Sequence, residues 1–273
     1  MTAAAAVPLT WLYVPGDRPD VVRKARDSGA DVVIVDLEDA VAPDRKAYAR
    51  SATAELLAEW GAGTDGVPVH VRVHSETDIL ALAGLPGLAG LRLPKITHAA
   101  TVHHIAALAP GVALCPLLES ALGIEHAYTI AASHPQVRSI AIGEVDLRAD
   151  LGVREDTGLD WSRSRVVVAA RAAGLAPPTQ SVFPDVLDLD GLWQSCVHGR
   201  TLGFVGRAAI HPRQLPVIER AFRPTAEEIE AAQEIVAAAL TDAGALALPD
   251  GRFVDAAVVA SARRTLALAE RVG

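Results

Sequence analysis

Charged and polar residues in this chain fall repeatedly at the ends of short apolar runs: Asp17-Arg18, Asp36-Leu37-Glu38-Asp39, Arg72, Lys95, Glu119, Glu144 with Asp146, Gln180 and His211. The acids among them, brought to one mouth, would repel one another and raise some of their pKa values unless a cation sat between them. The donors are oxygens, with no His or Cys cluster, which favours Mg2+ or Mn2+ over Zn2+. Mg2+ takes one or two protein carboxylates and completes its octahedron with water and substrate oxygens, so Glu119 and Asp146 suffice as the metal pair. The other acids, Glu38 among them, either hold metal-bound waters or orient basic side chains. Asp36, Glu38 and Asp39 have the alternative of capping a helix N-terminus.

Arg18, Arg72 and Lys95 supply the opposite charge. Arg72 follows Val-His-Val in a strand-like run, where an unpaired guanidinium is costly, so it is either bridged to a neighbouring acid or kept for an anionic substrate. Gly-x-Ser-x-Gly is absent, the Gly-x-Gly-x-x-Gly spacing at Gly61, Gly63 and Gly66 precedes the run Val67 to Val73 instead of following a strand-like run and so marks no dinucleotide site, and neither Cys115 nor Cys196 has an evident His partner. A Schiff base at Lys95 is the remaining covalent option, disfavoured by an acidic mouth that keeps the ammonium charged.

Positioning these groups requires strands whose ends share one face. Eight apolar runs alternate with Ala-rich helical segments: Thr10 to Val14, Val32 to Leu37, Val67 to Val73, Gly90 to Leu93, Val112 to Leu118, Ser139 to Ile142, Ala176 to Val182, and Val205 to Ile210. Such alternation over 273 residues predicts an α/β protein of the (β/α)8 TIM-barrel type, whose strand C-termini all open on one mouth. The run at Ala176 is the weakest because it contains Pro177 and Pro178. The barrel is expected over residues 1–215. Residues 216–273 form a C-terminal helical extension, a lid or oligomer arm. Within it, Thr225-Ala-Glu-Glu228 opens one helix with a capping box, Ala243 to Phe253 reads as a loop, and a last helix runs from Ala256 to Val272.

The composition narrows the partners. Twenty-five Lys and Arg against 33 Asp and Glu give a formal charge of −8, which argues against nucleic acid and against anionic membranes. Hydrophobic residues make up 51% with only 4% aromatic, so Ala, Val, Leu and Ile are expected to fill the core. Two widely spaced cysteines suggest neither a disulfide framework nor a zinc site, and a soluble, cytoplasmic protein is expected.

Seven segments in register, Val14-Pro-Gly-Asp-Arg-Pro19, Val35-Asp-Leu-Glu-Asp-Ala-Val41, Val71-Arg-Val73, Leu93-Pro94-Lys95, Leu118-Glu-Ser120, Gly143-Glu-Val-Asp-Leu147 and Ile210-His-Pro212, resemble the citrate lyase β-subunit-like branch of the HpcH/HpaI aldolase/citrate lyase superfamily, which includes stand-alone malyl-CoA and citramalyl-CoA lyases. The match runs from Trp11 to about Val272. The resemblance implies a barrel enzyme, often trimeric, with Mg2+ on Glu119 and Asp146 and the oxo-acid carboxylate on Arg72. It also implies catalytic roles for Arg72, Glu38 and Asp255, the last reaching a neighbouring subunit's site as an acid–base group; a helix N-cap is the competing role for Asp255. Arg18, Arg45 and Lys46 match positions near the CoA or substrate in such proteins, with exposed charges at a helix start an equal explanation for the last two, and Pro94, Lys95 and Glu119 are further substrate-binding candidates. His74, Glu144-Val145 and Gln180 depart from the usual pattern, and Gly206-Arg207 replaces a frequent Gly-Lys, which leaves substrate choice open. The implied reaction is Mg2+-dependent cleavage, or condensation, of a malyl-CoA or citramalyl-CoA type thioester to acetyl-CoA and a 2-oxo acid. The rivals are a citrate lyase β subunit acting on a carrier-bound thioester within a complex, a 2-oxo-acid aldolase that needs no CoA, and a thioesterase releasing malate.

Overall fold

The computed structural model describes residues 7–61, 66–241, 246–247 and 251–270. Two compact units emerge, Pro8–Ala221 and one built on Phe222–Gly273.

The first unit is a parallel α/β sheet. Its strands are β1 (Thr10–Pro15), β2 (Val32–Asp36), β3 (Val69–Arg72), β4 (Leu88–Leu93), β5 (Ala113–Leu118), β6 (Ala141–Ile142) and β7 (Arg207–Ala209), in the order β6-β5-β4-β3-β2-β1-β7. Helices or helical turns connect them, as parallel pairing requires. β2 is buried along its whole length, the mark of a strand covered on both faces.

Seven of the eight expected runs form strands. The run Ala176 to Val182 does not, because Pro177 and Pro178 remove two ladder donors. It survives as a single parallel bridge from Gln180 to Arg207, with Gln180 N donating to Gly206 O at 3.0 Å and Ala208 N to Gln180 O at 3.0 Å. The sheet is therefore an open seven-stranded one. The core is mainly Ala, Val, Leu and Ile, as the composition predicts; on one face Trp11 and Tyr13 pack with Val32, Ile34 and Ala208, Arg92 is buried beside Trp11, and the partly buried His70 meets the Trp11 ring edge-on.

In the second unit the helix Ala226–Thr241 opens with the anticipated capping box: Glu228 N donates to Thr225 Oγ1 at 3.2 Å and Thr225 N to Glu228 Oε2 at 2.8 Å. The stretch read as a loop instead carries an antiparallel pair, β8 (Leu246–Ala247) with β9 (Phe253–Val254); residues 243–245 and 248–250 of that stretch lie outside the described residues. The last helix is Ala256–Ala269, and Val272 lies outside the described residues. Among the described residues no helix is long and apolar enough to cross a membrane.

Candidate active site

The ends of β2 and β3 meet in one ion-pair cluster. Asp36, buried at the end of β2, turns the chain by accepting from Glu38 N at 2.9 Å and Ala40 N at 3.0 Å. It also takes Arg72 in a two-point grip, Nε at 2.7 Å and Nη2 at 2.6 Å. Arg72 Nη1 lies 2.9 Å from Glu38 Oε2, an ion-pair contact that lacks hydrogen-bond geometry, and 3.3 Å from Asp39 Oδ2. Of the two roles open to Arg72, the pairing with neighbouring acids is realised. One N–H on Nη2 is left unused by these acids, and the guanidinium lines a cavity.

Lys95, just beyond β4, links this cluster to the next. Its Nζ donates to Glu38 Oε1 at 2.9 Å, and its backbone N donates to Glu119 Oε2 at 3.0 Å. It holds a left-handed conformation, φ +56°, the only positive φ outside glycine among the described residues. A lysine in that region carries strain on the order of 1 kcal/mol, which the two contacts offset.

Glu119 follows β5 and is buried, with no cationic side chain bonded to it among the described residues. Burial, then the charge of Glu38, pushes its pKa from 4.5 up to about 7; the Lys95 N–H pulls it down and Asp146 raises it further. Gly143 after β6 makes the room: a Cβ there would stand 2.4 Å from Glu119 Cγ and 2.5 Å from Oε1. Asp146 sits exposed in the first turn of the helix Glu144–Leu151, without an ion pair or hydrogen bond to its side chain among the described residues.

Glu144 is among the acids of this mouth but already has a cationic partner. It is buried and grips Arg163 at 2.9 Å and 2.7 Å, and Arg163 in turn reaches Asp156 and Asp160. Six acids were anticipated around one cation; Asp36, Glu38 and Asp39 go to Arg72 and Lys95, Glu144 goes to Arg163, and Glu119 and Asp146 remain. No group of three or more His, Cys, Asp or Glu suited to a metal occurs among the described residues.

Glu119, Asp146 and Arg72 line one cavity of about 290 Å³, with Tyr13, Arg92, Leu117 and Gly143. Pro94 and Lys95 are not part of its lining. Lys46 points its ammonium at Leu37 O (2.8 Å) and Glu38 O (2.5 Å), pinning the turn after β2. Arg45 is half exposed, 3.7 Å from Asp17 and stacked 4.3 Å above Tyr48, and Arg18 is exposed at the start of the helix Pro19–Arg26. Asp255, in the second unit, caps the helix Ala256–Ala269 through Oδ1, which accepts from Val258 N at 2.9 Å; its other oxygen takes no part in the cap.

Two of the departures noted in the sequence turn out to share a partner. Gln180 Nε2 donates to Ser195 O and Arg207 Nη1 to Ser195 Oγ, each at 2.9 Å, so both side chains reach the helix Leu189–Thr201. Arg163 and Arg92 were not picked out from sequence. Arg163 gave no local signal, but Arg92 is a lone charge inside the apolar run Gly90 to Leu93.

A family model described as HpcH/HpaI aldolase/citrate lyase matches residues 9–212, and the chain belongs to this family of carbon–carbon lyases. It is 36% identical over 271 residues to a (3S)-malyl-CoA thioesterase of Cereibacter sphaeroides, covering 96% of this chain and 94% of that protein. At the same coverage it is 30% identical to an L-malyl-CoA/beta-methylmalyl-CoA lyase of that species. Among solved structures, CitE of Mycobacterium tuberculosis in complex with magnesium, acetoacetate and coenzyme A superposes with a TM-score of 0.81 at 33% identity, over 97% of this chain and 99% of that one. The citrate lyase beta subunit from M. tuberculosis, complexed with oxaloacetate and magnesium, gives 0.68 at 33% identity, over 82% of this chain and all of the other.

Proposed function

We propose that this chain is a Mg2+-dependent lyase that cleaves, or in reverse forms, a malyl-CoA or citramalyl-CoA type thioester, giving acetyl-CoA and a 2-oxo acid such as pyruvate or glyoxylate. The observation that carries the reading is the pair of carboxylates, Glu119 and Asp146, left without a cation on a cavity whose other acids are all paired. Their chemistry fits a hard dication, Mg2+ or Mn2+: oxygen donors only, one of them buried, raised in pKa and given space by Gly143. When bound, the ion supplies Lewis acidity toward the hydroxyl and carboxylate of the substrate.

The protein's own groups do the rest. Arg72, fixed by Asp36, Glu38 and Asp39, turns its unused N–H to the substrate carboxylate. Glu38 holds Arg72 and Lys95 in place from the centre of the cluster. Asp255, its Oδ1 held by Val258 N, uses Oδ2 as the base when a neighbouring copy in a homotrimer delivers it. It takes the substrate hydroxyl proton. The oxygen's electron pair forms the carbonyl of the oxo acid, the carbon–carbon bond breaks, and its electrons pass into a thioester enolate that gains a proton as acetyl-CoA.

In this reading residues 176–182 complete a (β/α)8 barrel between β7 and β6. The support is the Gln180 bridge on one side and, on the other, a contact of 3.4 Å from Glu144 N to Ser181 Oγ. Residues 216–273 act as the lid or oligomer arm. Both cysteines are free, which suits a reducing, cytoplasmic setting.

A second reading, hydrolysis of malyl-CoA to malate and free CoA, is favoured by the 36% identity to a thioesterase. One experiment separates the two. The purified chain is given malyl-CoA, citramalyl-CoA and citryl-CoA, with Mg2+ or with EDTA, and oxo acid, acetyl-CoA and free thiol are measured. Oxo acid with acetyl-CoA, lost in EDTA and restored by Mg2+ or Mn2+, is the expected outcome. Free CoA with malate and no oxo acid would establish the thioesterase, and turnover unaffected by EDTA would overturn the metal site.

A further inference from the structure

β4 carries an arginine that no step above uses. Its register pairs Arg92 with Arg72 on β3 and Cys115 on β5, so the three share one face of the sheet, and Arg92 lines the cavity with Glu119 and Leu117. It is only 3% exposed. Its guanidinium lies 4.8 Å from the ring centre of Trp11 and 5.9 Å from that of Tyr13, and its one hydrogen bond among the described residues runs from Nη1 to Tyr13 Oη at 3.3 Å. Nε is buried without a partner, and no carboxylate among the described residues pairs with the group.

Arg72, beside it, has three acids. Ring faces compensate a desolvated cation only in part, and the like charge of Arg72 works against it, so the cavity keeps an unanswered demand for an anion. Arg207 makes the contrast clear: also buried and without a carboxylate, it lies outside the lining of the cavity, where Ser195 Oγ at 2.9 Å and the ring of Phe183 meet it.

We propose that Arg92 receives a second carboxylate on the oxo-acid half of the substrate, so that the preferred oxo acid is a 2-oxo diacid in place of the pyruvate or glyoxylate released from citramalyl-CoA or malyl-CoA. This rests on the reading of Glu119 and Asp146 as the metal pair on the same cavity. Cys115, the register partner of Arg92, precedes Glu119 by four residues, about 13 Å of extended chain. A four- or five-carbon 2-oxo diacid carries a second carboxylate for Arg92 while its oxo-acid end meets the metal pair. Pyruvate and glyoxylate have no second carboxylate and leave the charge of Arg92 unmet.

Calorimetric titration of the full chain with 2-oxoglutarate, oxaloacetate and pyruvate, each with and without Mg2+, tests this in the wild type, Arg92→Lys and Arg92→Met. The wild type should bind a diacid at least tenfold more tightly than pyruvate. Arg92→Met should lose that preference, Arg92→Lys should retain part of it, and pyruvate affinity should stay within about threefold throughout. In acetyl-CoA condensation, KM for the diacid should rise at least tenfold in Arg92→Met while kcat with pyruvate holds. Equal wild-type affinity for pyruvate and the diacids would overturn the proposal even if neither variant folds, and so would a variant that loses both ligands equally. Arg92-dependent diacid binding in a protein that turns over no thioester would remove the lyase reading and leave this one standing.

Discussion

Glu119 and Glu144 follow adjacent strands, both are buried, and both line the same cavity, yet their surroundings differ in kind. Glu144 is matched by a guanidinium in a two-point bond, and that guanidinium is 1% exposed and matched again by Asp156 and Asp160. Glu119 accepts one backbone N–H, from Lys95, and has no ion pair among the described residues. A buried charge with its full set of partners belongs to the framework, since removing either partner strands the other. A buried acid without a cation is unfavourable in isolation and is held there by the rest of the fold, which is the condition of a site awaiting a ligand.

Isosteric amides break this comparison most sharply. Glu119→Gln should reduce Mg2+-dependent turnover by about 10³-fold or more while leaving the fold intact, whereas Glu144→Gln should keep turnover within about tenfold. Equal losses in kcat/KM would erase the distinction. The pH dependence of the metal-free protein comes next. Glu119 in the unfolded chain ionises near 4.5 and in the folded chain near 7, so between those values the folded state holds the extra proton. Stability then falls as pH rises from about 4.5 to 7 and is level above, a loss of about 3 kcal/mol. Metal-free Glu119→Gln lacks this term and should melt higher than wild type at pH 8 but alike at pH 4.5, and Mg2+ should raise only the wild type. Parallel melting curves at both pH values would contradict the raised pKa.

Arg72→Lys sharpens the contrast from the basic side. A lysine keeps the charge but loses the two-point bond to Asp36 that fixes its direction, so kcat should fall about 100-fold with KM less affected. Unchanged kinetics would remove Arg72 from the chemistry. Glu144→Gln has its main effect on stability. Arg163 keeps Asp156 and Asp160 but loses one of its two bidentate partners, for a cost of about 2 kcal/mol, read as a lower melting temperature at unchanged Mg2+ affinity.

What the sequence disclosed follows the range of the interactions involved. β2 was legible to within a residue because Val-Val-Ile-Val is both apolar and β-branched and ends in an acid. Residues 176–182 misled because their apolar content counted for more than two prolines that cannot donate to a ladder. β8 and β9 were masked by Gly and Pro, which signal turns and hide a two-residue strand pair between them. Glu119 and Asp146 stood out as acids placed after strands. That Glu144 belongs to Arg163 could not be read, since the pair is separated by 19 residues and formed by tertiary packing. Arg92 is hidden inside an apolar run that reads as strand interior, although strand alternation puts it on the same face as Arg72 at the end of β3.

Lys95 yields the smallest expected effect and tests how Glu119 is held. Its ammonium is 61% exposed, so the ion pair with Glu38 contributes at most about 1 kcal/mol. The left-handed backbone costs a non-glycine residue a similar amount. Glycine at this position removes both and keeps the N–H that reaches Glu119, because that donor belongs to the backbone. Lys95→Gly should therefore shift stability by less than about 1 kcal/mol and lower kcat/KM by less than tenfold. If turnover instead collapses by 10³-fold with Mg2+ affinity unchanged, the ammonium itself meets the substrate, and a carbonyl adduct trapped on Lys95 by borohydride would decide whether it does so covalently.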